Sequence, residues 1–164
     1  MVNKKIFHSM AAWNDSTIVD TMNLVLKTAK YPENIVFGVC LNYENKEPDF
    51  SSIPNEIRII RDKEDFGDIK NPGIVRVRNA IRRLMKDESY FFQTDAHTYM
   101  LPGWDEILIN DIEELSQNRK VIISKQAERP DTLTMLPFDD NNNWYTKWYI
   151  NNFPNFFISG QPVL

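Results

Sequence analysis

"YFFQTDAHTYM", residues 90–100, decides how the rest of the chain is read. An apolar run, Tyr90-Phe91-Phe92, climbs into Asp95 and His97 and then breaks. A short aromatic run with no helical spacing predicts a buried strand over residues 89–94. A carboxylate and an imidazole one residue apart, where that strand leaves its sheet, can converge on one cation. That cation could in turn hold a diphosphate. The chain has only two histidines, so the placement of one beside an aspartate calls for a reason.

Upstream, the same reading repeats. "KKIFHSMAA" predicts a first strand over residues 4–11, and "NDSTIVDTMNLVLKTAK" a helix capped by Asp15 or Ser16. Ile18, Met22, Val25, Leu26 and Ala29 fall on one face of that helix. "YPEN" stops it, and "NIVFGVCLNY" predicts a second buried strand. "EIRIIRD" predicts a third, after a polar loop over residues 44–55. Gly73 then opens a helix, "IVRVRNAIRRLMKD", with Ile74, Val77, Ile81, Leu84 and Met85 as its apolar stripe. Downstream of the opening stretch, "LPGWDEILINDIEELSQN" predicts a third helix and "KVIISK" a fifth strand. Alternation of this kind implies a single α/β domain: a mainly parallel, Rossmann-like sheet with helices on both faces. Ligands of such sheets gather at the carboxyl ends of the strands, which is where Asp95 and His97 fall.

Four arginines, Arg76, Arg78, Arg82 and Arg83, crowd the second helix of a chain whose formal net charge is −4. Arg78 precedes Asp95 by seventeen residues and shares a helix face with Arg82, as it would to meet phosphate oxygens. Arg82, Arg83 and Lys86 read as a solvated basic face. The acidic balance argues against a general nucleic-acid binder. No stretch is long and apolar enough for a membrane span or a signal peptide. The lone Cys40 has no internal disulfide partner and sits in an apolar strand, so it reads as a packing residue in a cytoplasmic protein.

"GIVRVR", "YFFQTDAH" and "LPGWDEIL", in that order and spacing, resemble the nucleotide-sugar half of GT-A glycosyltransferases. Two groups share these features: the polypeptide N-acetylgalactosaminyltransferases and the N-acetylglucosaminyltransferases that modify hydroxyproline. "PGWDE", residues 102–106, is similar to a segment of the second group letter for letter. The resemblance covers residues 4 to about 125, and it implies a GT-A fold. It implies that Asp95 and His97 bind a divalent metal, manganese or else magnesium, and through it the diphosphate of a UDP-sugar. It implies that Arg78 reaches the nucleotide, and that the loop from Ala11 through Trp13 to Asp15 lines uracil and ribose. Asn42 stands where relatives often read uracil with aspartate.

The implied activity is transfer of a sugar, such as an N-acetylhexosamine, to a hydroxyl on a protein or glycan, with retention of configuration. The relatives' third metal ligand comes from far downstream. No histidine follows His97; Asp139 or Asp140 could substitute, or their Asp-Asp-Asn-Asn-Asn run is simply a turn-rich loop. Residues 1–125 are thus expected to form the donor-binding core. Residues 126–164 form an aromatic-rich tail, shorter than the relatives' acceptor half. Its run "WYTKWYINNFPNFF" holds seven aromatics in fourteen residues. That cluster suits a core cover, sugar stacking, or contact with a second copy or a partner subunit. A non-catalytic UDP-sugar-binding module working through a partner chain is the alternative to an enzyme.

Overall fold

A parallel ladder organises the chain. In the computed structural model, residues 4–13, 15–42, 47–61, 65–67, 73–98, 100–116 and 121–123 are described. Four strands, β1 (Ile6–Trp13), β2 (Ile35–Asn42), β3 (Ile57–Arg61) and β4 (Tyr90–Asp95), pair in the order β3-β2-β1-β4. Every pairing is parallel. Among the described residues, the helices α1 (Ile18–Thr28), α2 (Ile74–Arg82) and α3 (Trp104–Leu115) accompany them, with a 3-10 turn at Pro32–Asn34. The chain divides into two compact units, residues 1–106 and 107–164, and the sheet belongs wholly to the first. Among the described residues no helix is long and apolar enough to cross a membrane.

β1 and β2 lie at the centre and are apolar almost throughout, as strands covered on both faces must be. Successive side chains alternate between the two faces. Phe7, Ser9 and Ala11 therefore share a face with their β2 partners Val36, Gly38 and Cys40 and their β4 partners Phe91, Gln93 and Asp95. α2 covers this face: Phe7, Val36, Cys40, Ile60 and Ile81 form one cluster, with Val77, Ala80, Leu84 and Met85 packed against it. Gly38 is required there, because a Cβ would collide with the Phe7 ring and with Ile81 Cγ2.

The opposite face carries His8, ringed by Phe37, Phe92 and Trp104 at centroid separations of 5.6, 4.9 and 5.9 Å. Trp104 Nε1–H donates to the α1 carbonyl of Val25 at 3.2 Å, so α1 and the start of α3 belong to this face. Ile18, Met22 and Val25 of α1 are fully buried. Burial of side chains this large stabilises by about 1.5–3 kcal/mol each. Burial also pushes the His8 imidazole down to about 3, so it is neutral at physiological pH.

Five local expectations change. The strand expected to be buried, β4, lies at the edge of the sheet with Phe91, Gln93 and Asp95 exposed, since among the described residues no strand pairs along its outer side. The fifth strand does not appear over residues 121–123, and Ile122 is exposed. A strand exists only where a neighbour supplies ladder bonds, which an apolar run alone cannot guarantee. Thr17, not Asp15 or Ser16, occupies the N-cap of α1. Asp15 acts one step earlier, with Oδ1 accepting from the Thr17 N–H and hydroxyl at 2.9 and 2.6 Å. Ile74 is half exposed rather than inward, since it lies in the first turn of α2, ahead of the packed positions. α2 itself stops at Arg82, five residues before the periodicity runs out.

Candidate active site

In a parallel sheet all strand ends of one kind lie along one edge. Here the carboxyl edge gathers Trp13, Asn42, Arg61 and Asp95 from four strands. β2 and β3 succeed β1 on one side, whereas β4 returns to its other side. The crevice between the ends of β1 and β4 is thus the point where strand order reverses, the place at which open α/β sheets bind ligands. Ala11 faces Asp95 across it in register, and Trp13 faces Asn42 on the β2 side.

Two polar pairs occupy this edge. Asp95 projects on the α2 face, and Arg78 reaches it from α2 with Nη2–H donating to Oδ1 at 2.9 Å. Arg78 Nε is buried yet has no hydrogen-bond partner among the described residues. Two residues beyond β4, His97 lies 2.9 Å through Nδ1 from Asp15 Oδ2, across 82 positions of sequence. Asp15 is largely covered while His97 is mostly exposed. Burial raises the Asp15 carboxyl, but hydrogen bonds from Thr17 and His97 outweigh it and hold the group below the usual carboxylate range.

The loop that carries His97 is pinned at both ends. Ala96 and Met100 are buried beside it. At its far end Gly103 N–H donates to Thr28 O at 2.7 Å, and Trp104 reaches Val25 as described. The buried Asp105 carboxylate accepts the backbone N–H groups of Lys30 and Tyr31 at 2.7 and 2.8 Å, and Glu106 pairs with Lys30 Nζ at 2.8 Å. "GWDE" thus docks the loop onto the end of α1. Its spacing marked a helix start, but nothing in the sequence pointed to α1 as its partner.

Of the residues predicted for the site, Asp95, His97, Arg78 and Asp15 meet as two pairs on the carboxyl edge. Trp13 is 56% exposed at the end of β1 and open to a stacking ligand. Ala11 packs against the apolar cluster under α2, and Asn42 ends β2. Arg82 and Arg83 are exposed on α2 and just beyond it, as a solvated face should be. Asp139, Asp140, the aromatic run and the whole tail after residue 125 lie outside the described residues. Among the described residues no group of three or more His, Cys, Asp or Glu side chains is arranged to hold a metal.

Two donors remain nonetheless. Neither Asp95 Oδ2 nor His97 Nε2 has a hydrogen-bond or ion-pair partner among the described residues. A carboxylate oxygen suits manganese or magnesium and an imidazole nitrogen a transition ion, so the two together favour manganese, whose shell phosphate and water commonly complete.

A glycosyltransferase (GlcNAc) family model matches residues 55–128. The match supports a glycosyltransferase. It contains β3, α2, β4 and α3, and so Arg78, Asp95, His97 and the docking segment. It stops short of β1, β2, Asp15 and Asn42. No curated protein and no solved structure matches the chain.

Proposed function

We propose that the chain is a metal-dependent glycosyltransferase that binds a UDP-sugar at the carboxyl edge of its sheet. The donor would be a UDP-N-acetylhexosamine, and the sugar would pass to a hydroxyl of a protein or glycan with retention. The observation that carries this reading is the Arg78–Asp95 pair at the strand-order reversal, with His97 two residues beyond Asp95, inside the segment that matches the family model. Asp95 Oδ2 and His97 Nε2 would hold manganese or magnesium. When bound, that ion supplies positive charge against the departing diphosphate.

Arg78 adds a second positive charge at the same edge. Fixed charges aimed at a group whose negative charge grows act on the transition state more than on the ground state. Its guanidinium bonds Asp95 through Nη2 alone, which leaves Nη1 to offer a phosphate oxygen without giving up Asp95. Trp13 offers an exposed ring for the uracil face, and Asn42 a side-chain amide that can both donate to and accept from the base edge. Ala11, too small to intrude, leaves the crevice open at Asp95.

The test is thermal stability of the whole chain with UDP-N-acetylglucosamine, with manganese or with EDTA, for wild type, Asp95→Ala and His97→Ala. A donor at a hundred times its dissociation constant adds about 2.7 kcal/mol, a rise of about 5–10 °C for this size. A manganese-dependent rise lost in both variants is the expected result. No rise with any UDP-sugar would sink the donor site. A rise with no glycoside made from any hydroxyl acceptor would favour the non-catalytic module.

A further inference from the structure

The geometry points to Asp15 as the positioning residue of the site: it fixes which nitrogen of His97 carries the proton and so presents the Nε2 lone pair outward. This inference rests on the metal-dependent donor site proposed above.

An ionised carboxylate only accepts hydrogen bonds. His97 Nδ1, 2.9 Å from Asp15 Oδ2, must therefore be the protonated nitrogen of the neutral ring. That leaves Nε2 as the bare nitrogen, the form a metal requires. Asp15 is itself held on its other oxygen. Oδ1 takes both the N–H and the hydroxyl of Thr17, the residue that begins α1. The chain of control thus runs from the α1 terminus through Asp15 to a ring on a different strand's loop. Resemblance assigns Asp15 to the loop that lines uracil and ribose; the geometry gives it a different task.

The arrangement makes one substitution sharper than deletion. In Asp15→Asn, the side-chain oxygen stays with the two Thr17 donors, which only an acceptor can satisfy. The amide NH₂ is then left facing His97 and donates to Nδ1. The proton moves to Nε2, and the ring presents a donor where a ligand needs a lone pair. The Thr17 hydrogen bonds of residue 15 survive, so folding is undisturbed while the histidine is inverted.

The experiment is long-range ¹H–¹⁵N NMR of the metal-free full chain at about pH 8, where an ordinary histidine is neutral. The chain has two histidines, and buried His8 serves as the internal reference. Manganese affinity is then read by the loss of the free-ion EPR signal on titration with manganese alone. Wild type is expected to show His97 protonated at Nδ1, and Asp15→Asn to show it protonated at Nε2. Manganese binding should weaken by about 10- to 100-fold in the variant, as when an outer-shell partner is removed. Thr17→Val, which loses only the hydroxyl, should keep the wild-type tautomer. The same tautomer in wild type and Asp15→Asn would overturn the positioning role. Inverted tautomers with equal manganese affinity would overturn its purpose. Inverted tautomers with no manganese bound by either protein would overturn the metal reading, and the inference with it.

Discussion

Two arginine–carboxylate pairs sit under the same helix and behave as opposites. Arg58 meets Glu88 at 2.6 Å, with side chains 10% and 0% exposed. Every part of the Arg58 guanidinium is used: Nε–H to Glu56, Nη1–H to Leu84 O, Nη2–H to Glu88, with its face over the Phe7 ring. Arg78 meets Asp95 at 2.9 Å, with side chains 36% and 60% exposed and Nε left without a partner. The first pair closes the turn between α2 and β4. The second stands open at the carboxyl edge with donor and acceptor capacity to spare. A satisfied buried pair holds structure, whereas a half-used pair at a strand-order reversal leaves capacity that a ligand could take up.

The largest effect should come from breaking the closed pair. Glu88→Ala removes a carboxylate that Arg58 and the Lys86 N–H both bond. Loss of one partner from a buried pair costs about 3–5 kcal/mol, and the lower end applies because Glu56 still faces Arg58. Urea titration would show the loss as a lower midpoint at unchanged slope. A change under about 1 kcal/mol would mean the pair is no more than a surface contact. Next comes Gly38→Ala, which drives a methyl into Phe7 and Ile81 and should cost about 1–3 kcal/mol by the same measurement.

A third prediction separates the polar edge from the apolar face around His8. With its folded pKa pushed down to about 3, His8 refuses a proton that the unfolded chain accepts below about pH 6.5. Stability should therefore fall with acid through that window, by about 1 kcal/mol between pH 6 and 5, above the range where ordinary carboxylates titrate. His8→Phe should flatten that limb, even though Thr94 loses its 2.8 Å partner and overall stability drops. Equal slopes for the two proteins would mean that His8 titrates in the fold.

The difference between the two pairs also measures what the sequence could disclose. β1, β2 and α1 were legible because burial on both faces, or along one stripe, leaves a continuous or periodic apolar signal, and β4 because its aromatic run is strand-like even at a half-exposed edge. "KVIISK" carried a similar signal, but residues 121–123 form no strand, since composition reports burial and not the neighbour that a strand needs. Asp95, His97 and Arg78 were legible as residue types at a strand end and on a facing helix. The link from Asp15 to His97 was not, because nothing local marks a contact made across 82 residues. Arg58 hid for a related reason. Nothing within "EIRIIRD" marks its partner, which lies buried thirty residues further on.

The smallest effect on folding should accompany the largest effect on binding. Arg78→Ala breaks an exposed pair, and exposed pairs contribute about 0–1 kcal/mol, so the melting temperature without ligand should scarcely move. The same substitution removes the charge that the open pair holds in reserve, so the stabilisation by UDP-N-acetylglucosamine with manganese should largely disappear. Arg78→Lys sharpens the point: it keeps the charge but lacks the planar fork that can hold Asp95 and a phosphate oxygen together. It should leave folding unchanged and retain donor stabilisation only in part. If Arg78→Ala instead unfolds the protein as readily as Glu88→Ala, the two pairs do the same job, and the carboxyl edge loses its strongest claim to a ligand.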